Sequence, residues 1–487
     1  MALEAGQRKN AMSAATRVCI FAIVVLLCAD LCADERYESA RYLAIVGVTV
    51  VHPEREGSEA IRPNSTVVID GSRILEVGSV SSTRIPKGAQ LVDGSGKWLV
   101  PGLVDAHVHF FQSGNLYTRP DAVDLTALVP YANEVARNKA RLSATLKVWI
   151  ASGVTTVVDV GGPMWNFEVR RAARAAPAAP YVAVAGPLIS MVPDLELALD
   201  DPPVIEATSV QEAIALVARQ TPYKPDYIKV WFIRRPGQAL AEKEAIVQAV
   251  GAAAHRAGVS LAVHATELST AKAALRAGAD YLVHSVEDEP VDAEFIALLK
   301  KNAALYCPTL WVHAGYSSMF SGAWRATEAE RRLADPKILS TMGDLAHIAK
   351  EALPPWLITR MSVSTPTAPA KMMLRNLKTI HDAGVAVVMG TDAGNIGTLH
   401  GPSVFREMAL MQEAGLTPLQ VLRAATFVGA RAAHREQSTG TIAPGKTADL
   451  VLLRADPTVD INNLSQIDRV FKSGEPFDPD QLIASIR

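Results

Sequence analysis

Short apolar strands and helix-like stretches alternate along most of the chain, and this alternation constrains the fold more than any other sequence feature. The strands are apolar nearly throughout, which is typical of parallel strands covered on both faces. Eight strand–helix units predict an α/β protein with a (β/α)8 TIM-like barrel rather than an open sheet. The predicted strands are 103–107, 155–160, 181–186, 227–232, 260–265, 281–284, 304–309 and 386–391.

Helices are predicted between these strands, and several end at a glycine that suits a left-handed C-cap, such as Gly153, Gly258 and Gly384. A long segment, 315–369, follows the seventh strand. It is either a lid over the barrel mouth or a helical decoration. The predicted helices are 139–152, 209–219, 242–257, 270–277, 292–300 and 370–383.

The two ends of the chain are β-rich. Runs of β-branched residues at 43–51, 65–70 and 73–78 are punctuated by Gly and Pro, and Asp70-Gly71 predicts a hairpin. The tail returns to β structure at 440–453 and 467–472. We therefore predict a small β-sandwich domain built from both ends. The predicted organisation is a signal peptide 1–33, an N-terminal β-sandwich segment 34–100, the barrel 101–435 and a C-terminal β-sandwich segment 436–487.

The predicted leader has a basic start (Arg8, Lys9, Arg17), an apolar run at 19–29 and cleavage near Ala33. It predicts a secreted or periplasmic protein without stable membrane association. An uncleaved membrane anchor is the alternative, and either Met1 or Met12 could be the start. Three of the four cysteines lie in the leader, which leaves Cys307 and no internal disulfide in the mature chain.

The charge balance bears on possible partners. The 487 residues carry a formal net charge of −2, and no run of five like charges occurs. Neither nucleic acid nor an anionic membrane is therefore expected as a partner. A small-molecule substrate is expected, and a homo-oligomer remains open.

Histidines and an aspartate stand at the ends of four predicted strands. His107 and His109, two residues apart on a strand, point to one face, which at this end of a barrel looks into the active-site mouth. His264, His284 and Asp392 end three later strands. Imidazole is the commonest metal ligand in proteins. The alternative, a set of separately satisfied core residues, requires several coincidences.

Lys229 lies inside the otherwise apolar strand YIKVWF at 227–232. Burial of an ammonium without a partner favours the neutral amine. A neutral lysine can take up carbon dioxide to form a carbamate, whose two oxygens can bridge two divalent metals. The alternative is a lysine paired with an acid such as Asp392.

These residues and their surroundings resemble the amidohydrolase superfamily, in its binuclear branch with a carboxylated lysine, and in particular its imidazolonepropionase-like and prolidase-like hydrolases. The matching stretches extend over nearly the whole chain after the leader. They are VPGLVDAHVH at 100–109, GVTTVVD at 153–159, YIKVW at 227–231, VHA at 263–265, VHS at 283–285, GTDAG at 390–394 and GTIAPGKTADL at 440–450.

The resemblance implies two divalent metals, with Zn²⁺ favoured and Mn²⁺, Co²⁺ or Fe²⁺ also suited. His107, His109 and Asp392 would hold the buried metal, and His264 and His284 the exposed one, with the Lys229 carbamate between them. A metal-bridged hydroxide would attack, while Asp392 acts as general base and then acid.

The expected reaction is hydrolysis of an amide-type C–N bond in an N-acyl amino acid or a dipeptide, including Xaa-Pro. A lactonase or phosphotriesterase and a non-catalytic barrel are the alternatives. Aromatic and basic residues near the strand ends are candidate substrate contacts. The favoured ones are Trp231, Arg234, His313, Tyr316 and His400, and the others are Phe110, Phe111, Trp165, Arg235 and Trp311.

Overall fold

The computed structural model describes residues 42–193, 196–234, 239–361 and 368–487. The predicted leader and Arg235 lie outside the described residues. Within these ranges, the helices are all too short or too polar to cross a membrane. The strands are β1 Tyr42–Val51, β2 Ile61–Asp70, β3 Arg73–Ser79, β4 Gln90–Asp93, β5 Trp98–Pro101, β6 Leu103–Val108, β7 Val154–Asp159, β8 Tyr181–Val184, β9 Leu188–Ser190, β10 Val204–Glu206, β11 Tyr227–Trp231, β12 Ser260–His264, β13 Tyr281–Val283, β14 Leu305–Cys307, β15 Leu450–Leu453, β16 Ile467–Lys472 and β17 Glu475–Phe477.

Helices follow most of the strands, and the predicted helix 139–152 corresponds to α2 together with the last two residues of α1. The α-helices are α1 Tyr131–Ala140, α2 Leu142–Ala151, α3 Asn166–Ala175, α4 Val210–Gln220, α5 Leu240–Arg256, α6 Leu268–Arg276, α7 Ala293–Lys301, α8 Leu310–Phe320, α9 Glu328–Leu333, α10 Pro336–Leu339, α11 Pro355–Met361, α12 Ala368–Asp382, α13 Ser403–Glu413, α14 Pro418–Ala425, α15 Phe427–Ala432 and α16 Pro479–Ala484.

The predicted barrel is confirmed. Parallel pairing runs through β6, β7 and β8, and again through β11, β12, β13 and β14. A parallel bridge between Ala185 and Tyr227 joins the two sets. The predicted eighth strand, 386–391, closes the ring through isolated bridges, Tyr306–Val387 within it and Val108–Ala393 two residues after it. Because all the strands are parallel, their carboxyl ends meet at one mouth.

The two ends of the chain form one continuous sheet of eight strands beside the barrel, in the order β17-β16-β15-β5-β1-β2-β3, with β4 alongside β1. The predicted hairpin at Asp70-Gly71 is present, since Asp70 pairs with Arg73 and Gly71 has a φ of 53°. β5 leads directly into β6, so the sheet fixes the first barrel strand. The buried core of this sheet includes Ile45, Val67, Leu99, Leu450 and Phe471.

The long segment after the seventh barrel strand is helical and packs over one side of the mouth. Its helices α8, α10 and α11 share an apolar cluster with residues 116–125 and 396–399. Two tryptophans of this cluster, Trp311 and Trp324, each donate an indole N–H to the Gly397 carbonyl at 3.2 Å. The segment is thereby tied to the loop that follows Asp392.

Candidate active site

A cavity of about 370 Å³ opens at the carboxyl ends of the barrel strands. Its floor is formed by side chains from the strand ends, and its wall by loops and by α8. Most of the exposed lining is apolar, with contributions from Leu188, Leu197, Val204 and Met373. A cavity of this size suits a small molecule.

Three predicted metal ligands converge on the floor. The Nε2 atoms of His107 and His109 are 3.3 Å apart, and they lie 3.3 and 3.2 Å from Oδ1 of Asp392. Nδ1 of His109 donates a hydrogen bond to the Gly161 carbonyl at 2.6 Å, because a carbonyl can only accept. In the neutral ring, Nε2 of His109 therefore presents a lone pair to the carboxylate.

The other two histidines stand beside this group. The ring centroids of His264 and His284 are 4.3 Å apart, and those of His107 and His284 are 4.9 Å apart. Nδ1 of His284 lies 2.7 Å from the Thr309 hydroxyl and 3.9 Å from Oδ2 of Asp392. Burial lowers the pKa of His107, His264 and His284 well below the usual value, so these rings are neutral at neutral pH.

Three residues of the cavity floor have strained backbone conformations. His284, Thr309 and Asp392 have φ values of 77°, 44° and 61°, in the left-handed region that residues with a side chain rarely occupy. Such strain persists where the surrounding structure holds it, and it concentrates at functional sites. Here it turns strand-end side chains towards one another.

Lys229 lies beneath this cluster and is 1% exposed. Its Nζ has no hydrogen-bond partner among the described residues. Burial lowers the pKa of Lys229 to about 7, although the nearby Asp392 opposes the shift. A substantial fraction of this amine is therefore neutral at physiological pH.

The donor set fits a metal. His107 Nδ1, Lys229 Nζ and Asp392 Oδ1 are buried and make no hydrogen bond within the described chain. His107, His284 and Asp392 each offer one ligand atom, and these atoms lie within 4.8 Å of one another. Lone pairs crowded in this way repel one another unless a cation lies between them.

Two buried carboxylates that were not predicted from the sequence hold the floor in place. Asp105 accepts hydrogen bonds from the Thr391 hydroxyl at 2.6 Å and from the His107 amide at 3.2 Å. Asp159 accepts from the amides of Phe110 and Gly161 at 3.0 and 3.1 Å. Burial raises the pKa of both acids to about 7.

The predicted substrate contacts fall into two groups. Trp231, His313 and Tyr316 line the cavity, and so does Phe111. Arg234 lies outside the lining and pairs with Glu267, with Nε 2.9 Å from Oε2. His400 is buried behind the floor, where its Nε2 donates to the His109 carbonyl at 3.1 Å. Phe110, Trp165 and Trp311 also lie outside the lining.

Four polar residues of the wall were not predicted from the sequence. They come from three loops without periodic patterns, so only proximity in the fold identifies them. These four residues are Arg119, Asp121, Glu287 and Asn395. The sequence gives a signal only for Arg119, which is an isolated arginine between two turns.

A family model and the curated relatives of this chain point to the same family. The model described as the amidohydrolase family matches residues 98–477. An imidazolonepropionase of Cutibacterium acnes is 40% identical over 106 residues, which is 21% of this chain and 26% of that protein. An imidazolonepropionase of Parabacteroides distasonis is 29% identical over 174 residues, 34% of this chain and 40% of that protein. The chain thus spans well under half the length of these curated relatives.

Solved structures share the fold across nearly the whole chain. A Xaa-Pro dipeptidase with bound methionine superposes with a TM-score of 0.67 at 22% identity, covering 90% of this chain and all of the other. The A. niger ochratoxinase gives a TM-score of 0.66 at 22% identity, with 90% and 96% covered. At these identities the likeness shows a common fold.

Proposed function

The chain belongs to the amidohydrolase family, and from that premise we propose that it is a metal-dependent hydrolase of amide-type carbon–nitrogen bonds. The observation that carries the proposal is the crowding of His107 Nε2, His109 Nε2 and Asp392 Oδ1 within 3.3 Å of one another. The favoured substrates are N-acyl amino acids and dipeptides, Xaa-Pro dipeptides included. The apolar lining of the cavity suits such substrates.

The residues present fit two divalent metal ions, with Zn²⁺ favoured. His107, His109 and Asp392 would hold one ion, and His264 and His284 the other. The neutral Lys229 amine would add to carbon dioxide and release one proton, and the resulting carbamate would lie between the ions. When bound, such metals lower the pKa of a water and polarise a carbonyl.

The side chains of Asp392 and His109 have separate proposed roles. Asp392 is the proposed general base, because its carboxylate lies on the cavity lining with a buried oxygen that makes no other hydrogen bond in the described chain. It would take a proton from the attacking water and return it to the leaving nitrogen. His109 is held in one tautomer by the Gly161 carbonyl, and this fixes its ring for ligation.

The proposal is tested with purified protein incubated with Zn²⁺ and bicarbonate, and with a chelated sample as control. The panel contains N-acyl amino acids, dipeptides including Xaa-Pro, lactones and an aryl phosphotriester. We expect turnover of an amide substrate that chelation abolishes and added metal restores. Turnover confined to lactones or the phosphotriester overturns the amide assignment. Fewer than one bound metal per chain, with no rise on loading, identifies a non-catalytic barrel.

A further inference from the structure

Arg119 supplies the cavity wall with a charged group of fixed position. It is the only arginine in the lining that the described residues form. Its side chain is 15% exposed, so the guanidinium lies largely out of bulk water while still facing the cavity. The strength of a charge-assisted hydrogen bond rises when water is excluded in this way.

Neighbouring side chains fix the plane of this guanidinium. Nε of Arg119 donates to Oδ1 of Asp121 at 2.7 Å, and Nη2 donates to Oδ2 of the same carboxylate. Nη1 donates to Oδ1 of Asn395. A guanidinium has five N–H donors, so two remain without an acceptor among the described residues. These two donors are available to a ligand in the cavity.

Asn395 connects this cation to the proposed reaction centre. Its Oδ1 also accepts a hydrogen bond from the Tyr316 hydroxyl at 2.9 Å, and its Nδ2 donates to the Asp392 carbonyl at 3.0 Å. Trp231 flanks the guanidinium, with the ring centroid 6.0 Å from its carbon. One asparagine therefore sets the separation between Arg119 and the carboxylate proposed as general base.

We propose that Arg119 binds the carboxylate of the substrate, and that it selects amides whose amine portion carries a free carboxylate. This inference rests on the proposed function, because it assigns a chemical group to the substrate of that reaction. Carboxylate oxygens can accept from the two remaining N–H groups, whereas an apolar group at the same place leaves them unpaired in a largely dry wall. The link through Asn395 holds this contact at a fixed distance from the bond that is cleaved.

The activity experiment compares two substrates that differ only in the carboxylate, N-acetyl-L-phenylalanine and N-acetyl-2-phenylethylamine. The metal-loaded wild type should prefer the acid by about 100-fold in kcat/KM. R119M should lose about that factor on the acid, mainly through KM, and less than about threefold on the descarboxy amide. R119K, which keeps the charge, should recover part of the loss. R171M, which alters an exposed arginine on α3, is the matched control.

The binding experiment does not depend on turnover. Calorimetry measures the affinity of metal-loaded wild type and R119M for 3-phenylpropanoate and 3-phenylpropanamide. We expect R119M to weaken binding of the carboxylate by about 30-fold and that of the amide by less than about threefold. If no amide is hydrolysed but this difference appears, the proposed function fails while the carboxylate site stands. Equal affinity of wild type and R119M for the carboxylate, or equal loss of activity on both substrates, overturns the inference.

Discussion

The floor and the wall of the cavity differ in whether their polar side chains have hydrogen-bond partners within the protein. On the floor, His107, Lys229 and Asp392 each bury an atom that finds no hydrogen bond in the described chain. On the wall, Arg119 donates hydrogen bonds to both Asp121 and Asn395. The polar atoms of the floor therefore suit a bound group, whereas hydrogen bonds already hold the side chains of the wall in position for a ligand.

The loss of folding stability caused by the unpaired polar atoms of the floor supports this distinction. A buried polar atom without a partner destabilises a protein by about 1–3 kcal/mol. The floor gathers three such atoms at barrel positions that apolar residues could have occupied. Groups that reduce stability in this way are expected where a site needs them. Substitutions on the floor should accordingly remove activity, and those on the wall should alter it.

The largest effect is expected for K229A. Loss of the bridging ligand should lower kcat/KM by at least about a thousandfold, because both metals would lose a shared oxygen donor. Short carboxylic acids such as acetate or propionate should restore part of the activity by occupying the space of the carbamate. Steady-state kinetics and metal content measure both effects. K300A, at an exposed lysine on α7, is the matched control, and full activity of K229A would refute the role of the lysine.

A smaller effect is expected where the wall meets the floor. N395A removes the acceptor shared by Arg119 and Tyr316 and the donor to the Asp392 carbonyl, so kcat/KM should fall by about 10- to 100-fold. N395D keeps an acceptor for Arg119 and Tyr316 but loses the donor. Its KM for N-acetyl-L-phenylalanine should therefore stay closer to that of the wild type than the KM of N395A.

The comparison of these two variants decides whether the link acts through Arg119. If N395A and N395D have the same KM and the same kcat, the bonds from Asn395 to the wall do not position the substrate. Thermal unfolding of both variants provides the control, since a melting temperature close to that of the wild type excludes a general loss of structure.

The difference between floor and wall also explains how much of the site could be predicted. Strand ends are visible in a sequence because an apolar run makes a polar residue at its end conspicuous, as with His264 after Leu-Ala-Val. The eight barrel segments and the terminal sheet follow from the same periodicity and from turn signals such as Asp70-Gly71. These features depend on short-range patterns, and the structure contains them.

The wall depends on contacts between distant loops, which no periodic pattern records. The sequence favoured Arg234 as the substrate-binding arginine because it closely follows the strand of Lys229. In the structure Arg234 pairs with Glu267, and Arg119 lies on the cavity instead. Asn395, 276 residues away in the chain, is a partner of Arg119 that only the folded barrel brings near.

The smallest predicted effect concerns the start of the wall helix α8. Glu407 is fully buried on α13 and accepts hydrogen bonds from the amides of Leu310 and Trp311 at 2.9 and 2.7 Å. Burial raises the pKa of Glu407 from an ordinary 4.5 to about 8. The folded state thus holds a proton that the unfolded state releases between about pH 4.5 and 8, and the stability from this group is lost as the pH rises through that window.

E407Q removes this proton equilibrium. Its side-chain amide offers one acceptor oxygen where the carboxyl group offers two, so the slope of the melting temperature with pH is compared rather than its absolute value. Between pH 5.5 and 8.5, the melting temperature of metal-loaded E407Q should therefore fall less than that of the wild type, by about 3 °C. E413Q, at an exposed position of the same helix, should keep the wild-type slope. Differential scanning calorimetry across this range measures all three proteins. Identical slopes for wild type and E407Q would show that the carboxylate anchoring α8 is ionised in the folded state, and the wall would then carry a buried charge comparable to those of the floor.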